Sequence, residues 1–143
     1  MYSVIIAVRL VNSFNSSSSG RVEVLYKDVW GTICGDSWDL QDASVVCRQL
    51  GFEGALAAFG ASEFGQGIGQ IWLDEVQCGG DESSISECVH REWGDHDCSH
   101  YSTAGVVCRP RSKAMRLLQS RPFIVKSALE LYSNKANPAR REL

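Results

Sequence analysis

Apolar and polar residues alternate over the first third of the chain. Val8 to Val11 (VRLV) reads as an opening strand, and Arg21 to Tyr26 (RVEVLY) alternates as a half-buried strand does. Val29 to Cys34 (VWGTIC) reads as the next strand, with Lys27-Asp28 as a tight turn between them. Then the period changes. Across Asp39 to Gly51 (DLQDASVVCRQLG), Ala43, Val46, Cys47 and Leu50 recur at helical spacing. Asp39 or Asp42 can cap the start of that helix, and Gly51 can end it in a left-handed conformation. Residues 52–70 are rich in Gly and Ala, with Phe59 and Phe64 as anchors. Gln70 to Val76 (QIWLDEV) predicts a strand entering an acidic turn, and Asp81 to Cys88 (DESSISEC) a single helical turn. His90 to Tyr101 is a polar loop, and Ala104 to Cys108 (AGVVC) a closing strand.

Cysteine usage changes the picture most. All six cysteines (34, 47, 78, 88, 98 and 108) lie in the body of the chain, and the last 35 residues have none. An even count at wide spacing suits a disulfide framework in an oxidising compartment. Six cysteines allow 15 pairings, among which spacing does not choose. Zinc is disfavoured, since there is no C-x-x-C pair. At 143 residues the chain can bury a core of its own, so bridges would supplement packing.

Charge divides the chain in two. Residues 1–110 carry 6 Lys+Arg and 15 Asp+Glu, a net of −9, whereas residues 111–143 carry 8 and 2, a net of +6. An acidic body argues against nucleic-acid binding and is compatible with bound cations. No apolar run approaches the length of a membrane span. The apolar start lacks a basic region and is interrupted by Arg9, so it is a poor signal peptide; a signal or anchor is expected upstream. Asn15-Ser16-Ser17 is a glycosylation sequon within a Ser-rich turn. Residues 1–7 read as an upstream remnant and 8–109 as the domain. Residues 110–143 read as a basic tail, poorly ordered or with a short helix over Ser127 to Tyr132.

Five segments together resemble the scavenger receptor cysteine-rich domain: VRLVN at 8–12, GRVEVLYKDVWGTIC at 20–34, WDLQDASVVCRQLGF at 38–52, FGQGIGQIWLDEVQC at 64–78 and WGDHDCSHYSTAGVVC at 93–108. Ser18 and Phe52 stand where an eight-cysteine form has cysteines, so the resemblance is to the six-cysteine, group A form of class A macrophage scavenger receptors. It implies an α+β fold, a curved antiparallel β-sheet cradling one α-helix, with bridges Cys34–Cys98, Cys47–Cys108 and Cys78–Cys88. It also implies an extracellular, secreted or membrane-ectodomain setting. The implied role is binding of polyanionic or microbial-surface ligands, with calcium in several members. The alternative is an accessory protein-interaction module of a larger protease, oxidase or receptor.

Calcium is the chemistry to look for. It takes 6–8 oxygens, and a surface site with open positions lets an anionic ligand complete the shell. The family's first site uses two adjacent Asp and a late Glu. Here only Asp36 remains, with Gly35 and Ser102 at the other two positions. A second set is better kept: Asp74, Glu75 and Asp97, with Asp95 close in sequence. Among the histidines, His100 matches a structural family position. Asp36-Ser37 resembles a protease turn only faintly, because Trp38-Asp39 follows it. Trp30, Trp38, Trp72 and Trp93 read as packing residues, and no enzyme constellation is evident.

Overall fold

A computed structural model describes residues 6–13 and 16–110. Asn15 and the basic tail from 111 onward lie outside the described residues, as does most of the upstream remnant.

Among the described residues, six strands and one α-helix follow in the order β1 (Val8–Val11), β2 (Ser19–Tyr26), β3 (Val29–Ile33), α1 (Leu40–Gln49), β4 (Ala55–Phe59), β5 (Ile71–Leu73) and β6 (Gly105–Cys108). A single 3-10 turn, Ile85–Glu87, lies between β5 and β6. The sheet runs β4-β6-β2-β3-β5, with β1 also pairing to β2. It is mixed rather than wholly antiparallel. β3 and β5 run parallel, because the chain crosses by way of α1 and β4 before β5 returns to the β3 edge. β6 pairs with both β2 and β4, so the last strand is an interior one.

Local chemistry explains the elements. Lys27 and Asp28 both take left-handed backbone (φ 51° and 64°), the geometry of a two-residue hairpin whose twist matches its strands. Asp39 caps α1 in a reciprocal box: its carboxylate accepts the Asp42 N–H at 3.0 Å, and Asp42 accepts the Asp39 N–H at 2.9 Å. Gly51 ends the helix at φ 94°, and the Phe52 N–H closes the final turn on the Cys47 carbonyl at 2.9 Å.

The core lies between α1 and one sheet face, where Val22, Val24, Ile33, Val46, Leu73, Ile85 and Val106 pack together. Cys47–Cys108 ties the helix to β6 inside it, and Cys78–Cys88 closes the loop that carries the 3-10 turn. Trp38 donates its indole N–H to the Gly105 carbonyl at 3.1 Å, anchoring the turn after β3.

The opposite face of β2 is also covered. Arg21 and Glu23, the polar positions of the alternation, are only 7% and 8% exposed. Glu23 bridges Arg9 at 2.6 Å and Arg21 at 3.1 Å. Arg21 also donates to the carbonyls of Phe64, Gly65 and Gln66 at 3.4–3.5 Å. Segment 62–70 therefore folds over this face, and β2 is buried on both sides rather than half-buried.

Candidate functional site

The site is assembled around the Cys34–Cys98 bridge. β3 ends at Ile33, so Cys34 leaves the sheet with Asp36 two residues on. β5 ends at Leu73, so Asp74 and Glu75 follow at the adjacent strand end. The Cys34 N–H bonds the Leu73 carbonyl at 2.8 Å, which fixes the two strand ends side by side. The bridge, with 6.1 Å between its Cα atoms, then draws in Cys98 together with Asp97.

Three carboxylates meet at Cys98. Its Sγ lies 3.7 Å from Asp36 Oδ2, 3.7 Å from Asp74 Oδ1 and 3.9 Å from Asp97 Oδ1. Asp36 and Asp74 offer oxygens within 4.8 Å of one another. Calcium–oxygen distances are about 2.3–2.6 Å, so a single ion can touch both. The bonded cysteine sulfurs are not available as ligands.

Asp74 is fully buried, and its carboxylate is already engaged. Oδ1 accepts the Glu75 N–H at 2.7 Å, and Oδ2 accepts the Asp97 N–H at 3.3 Å. Arg91 Nη1 approaches Oδ2 at 3.4 Å, while its other nitrogens hold Asp95. Burial pushes the Asp74 carboxyl above its ordinary range. The two backbone N–H groups pull it back, and the charges of Asp97 and Glu75 push it up again. Such a group gains from any further cation beside it.

Glu75 is not part of the convergence. It takes left-handed backbone (φ 53°) and accepts the Ser37 hydroxyl at 3.0 Å, tying the two strand-end turns together. Asp95 pairs with Arg91. The two positions of the family's first site that lack carboxylates meet directly, the Gly35 N–H bonding the Ser102 carbonyl at 2.7 Å. A Cβ on Gly35 would lie 2.1 Å from the Gly60 carbonyl oxygen, so this backbone leaves no room for an acid there.

In sequence, Asp36 stands apart from Asp74 and Asp97; the fold gathers all three into one cluster. The usable signal was the bridge itself. Asp36 lies two residues after Cys34 and Asp97 one before Cys98, so pairing those cysteines brings both acids together.

Elsewhere, Tyr26 and Trp93 stack at 4.0 Å between centroids, with Trp72 and His90 edge-on to the group. Arg9 lies over Trp30 at 4.1 Å. His96 Nδ1 accepts the Cys98 N–H at 3.2 Å, supporting the loop that carries Asp97.

Among the described residues, a curled sheet, one cradled helix and three bridges define a disulfide-stapled module. The family described as scavenger receptor cysteine-rich domain matches residues 13–109, and the chain belongs to that family. Such domains are extracellular. Lysyl oxidase homolog 4 of Homo sapiens is 49% identical over 104 residues, covering 73% of this chain and 14% of that protein. Galectin-3-binding protein of Pongo abelii is 50% identical over 103 residues, covering 72% and 18%. A scavenger receptor cysteine-rich superfamily protein of Patiria pectinifera is 44% identical over 117 residues, covering 82% and 10%. The chain thus spans 10–18% of the length of these relatives. Among solved structures, the third such domain of murine neurotrypsin is similar at TM-score 0.68 and 41% identity, covering 75% of this chain and 99% of that one. The dimeric form of the domain of mouse MARCO is similar at TM-score 0.61 and 45% identity, covering 68% and 93%. Among the described residues, no helix is long and apolar enough to cross a membrane.

Proposed function

We propose that this chain is an extracellular binding module, not an enzyme, that takes polyanionic or microbial-surface ligands with the help of calcium. The observation that carries this reading is the convergence of Asp36, Asp74 and Asp97 around Cys98. Asp36 and Asp97 are exposed, so an ion held there keeps open positions toward solvent. Calcium supplies positive charge to an otherwise acidic body, and the ligand's sulfate, phosphate or carboxylate oxygens complete its shell. Asp36 reaches the ion from the surface and Asp74 closes it from below, while the exposed Asp97 adds negative charge beside them.

The test is binding of the oxidised chain to an immobilised sulfated polysaccharide, with calcium and then with chelator. Binding that needs calcium, and that falls in Asp36→Asn/Asp97→Asn, supports the proposal. Binding unchanged by chelator removes calcium from it.

One observation favours a second reading, an accessory protein-interaction module of a larger secreted or membrane protein. Arg91 already neutralises part of Asp74, and Gly35 and Ser102 supply no carboxylate. On this reading the acidic cluster orders the 91–98 loop, and the domain holds a protein partner without metal. Loss of stability in Asp97→Asn, with no calcium binding by the wild-type chain, would favour it.

A further inference from the structure

We propose that Cys34–Cys98 is a charge-gated disulfide: closed to anionic thiols by the three carboxylates around Cys98, and open to thiols whose charge is balanced. The Cys47–Cys108 and Cys34–Cys98 bridges are protected in different ways. Cys47 and Cys108 are both fully buried, so their bridge is sealed by packing. Cys34 is only 1% exposed, which removes it as a point of attack. Cys98 is half-buried and is the reachable sulfur of its pair. Exchange at this bridge must therefore begin at Cys98 Sγ.

The step balances as a simple displacement. An incoming thiolate donates its electron pair to Cys98 Sγ, and a mixed disulfide forms. The Cys34–Cys98 bond breaks, and its pair leaves on Cys34 Sγ, which later takes a proton from water. A second small thiol then displaces Cys98 from the mixed disulfide. The leaving sulfur is provided for: the Asp36 N–H points at Cys34 Sγ across 3.4 Å, ready to support the emerging thiolate. The entering side is not. Carboxylate oxygens of Asp36, Asp74 and Asp97 lie 3.7–3.9 Å from the sulfur under attack. An approaching anion meets Asp36 and Asp97 at the surface, with the buried charge of Asp74 behind them partly offset by Arg91. The gate is thus built from charge rather than from burial, and a cationic group brought to the cluster would open it.

Two unit charges about 4 Å apart in water interact by enough to change a rate roughly fivefold. Removing two exposed carboxylates should then speed attack by an anionic thiol roughly twentyfold at low salt. The experiment uses the full oxidised chain in chelator, treated under native conditions with excess glutathione or with cysteamine. Samples are quenched by alkylation and each cysteine is scored by peptide mass spectrometry. The glutathione thiolate is anionic overall, whereas the cysteamine thiolate is balanced by its ammonium.

In the wild-type chain, cysteamine should open Cys34–Cys98 faster than glutathione does. Asp36→Asn/Asp97→Asn should narrow that gap by accelerating glutathione alone, and high salt should narrow it too. Glu53→Gln, which removes an exposed charge elsewhere, should leave it unchanged. Equal rates for the two thiols in the wild type would overturn the proposal. So would acceleration of Cys47–Cys108 alongside Cys34–Cys98 in the variant, since that reports loosening of the whole domain. Folding of each variant is checked by the continued protection of Cys47–Cys108.

Discussion

Lowering the pH from 7.5 to 4.5 should make this domain more stable, and Asp42 is the main reason. Its side chain is fully buried at the start of α1. One oxygen accepts the Asp39 N–H at 2.9 Å, and the other the Cys78 N–H at 2.8 Å. Burial pushes its carboxyl from 3.8 up to about 6; the N–H groups of Cys78 and Asp39 pull downward, and the Asp39 side chain and charge push upward. In the unfolded chain the group returns to its ordinary value. Between the two values the folded state holds a proton that the unfolded state lacks. Stability is therefore lowest above the folded value and rises as pH falls through it. At about 1.36 kcal/mol for each pH unit below the folded value, the gain by pH 4.5 is about 2 kcal/mol. Asp74, raised by the same burial, acts in the same direction. Glu82, lowered by the N–H groups of Gly79 and Gly80, acts oppositely, but only as pH falls from its ordinary 4.5. Urea unfolding with the bridges intact, followed by far-ultraviolet circular dichroism at the two pH values, measures the slope. Asp42→Asn cannot ionise and should flatten most of it, while losing one N–H acceptor at a cost of about 1 kcal/mol. A wild-type domain that weakens toward pH 4.5, or a variant with an unchanged slope, would refute the reasoning.

Other outcomes follow from the same structure. Gly35→Asp, which rebuilds the family's acidic pair in sequence, should destabilise by about 1–3 kcal/mol in urea unfolding through its clash with Gly60, without tightening calcium. Asp28→Gly should stabilise by about 0.5–1 kcal/mol, because it relieves a left-handed residue in the β2–β3 hairpin; the unfolding midpoint reports it. Arg91→Gln removes a cation that competes at Asp74 and should raise calcium affinity about fivefold in calorimetry. Trp38→Phe shrinks a buried ring and drops the bond to Gly105, and should cost about 1–3 kcal/mol of unfolding free energy.

The helix, its caps and five of the six strands were legible in the chain because each is decided locally. Period, capping acids and a C-terminal glycine all lie within a few residues of one another. β4 was not legible. Ala-Leu-Ala-Ala-Phe shows neither alternation nor β-branching, and only its pairing with β6, some fifty residues on, makes it a strand. The alternation of β2 is plain in the sequence but the cover on its polar face is not, since segment 62–70 closes over Arg21 and Glu23 from a distance. The parallel β3–β5 pair escaped for the same reason. Bridge connectivity came from family resemblance, not from spacing. The gathering of Asp36 with Asp74 and Asp97 needed both that connectivity and the parallel pair. Arg91, which competes for Asp74, carries no sequence signal of its role.

Calorimetric titration of calcium into the oxidised chain decides whether the Asp36–Asp74 cluster holds a cation. The expected result is one site of about 0.1–1 mM affinity, as extracellular modules use, and loss of its heat in Asp36→Asn/Asp97→Asn. No heat from the wild-type chain, or the same heat from the variant, would contradict it.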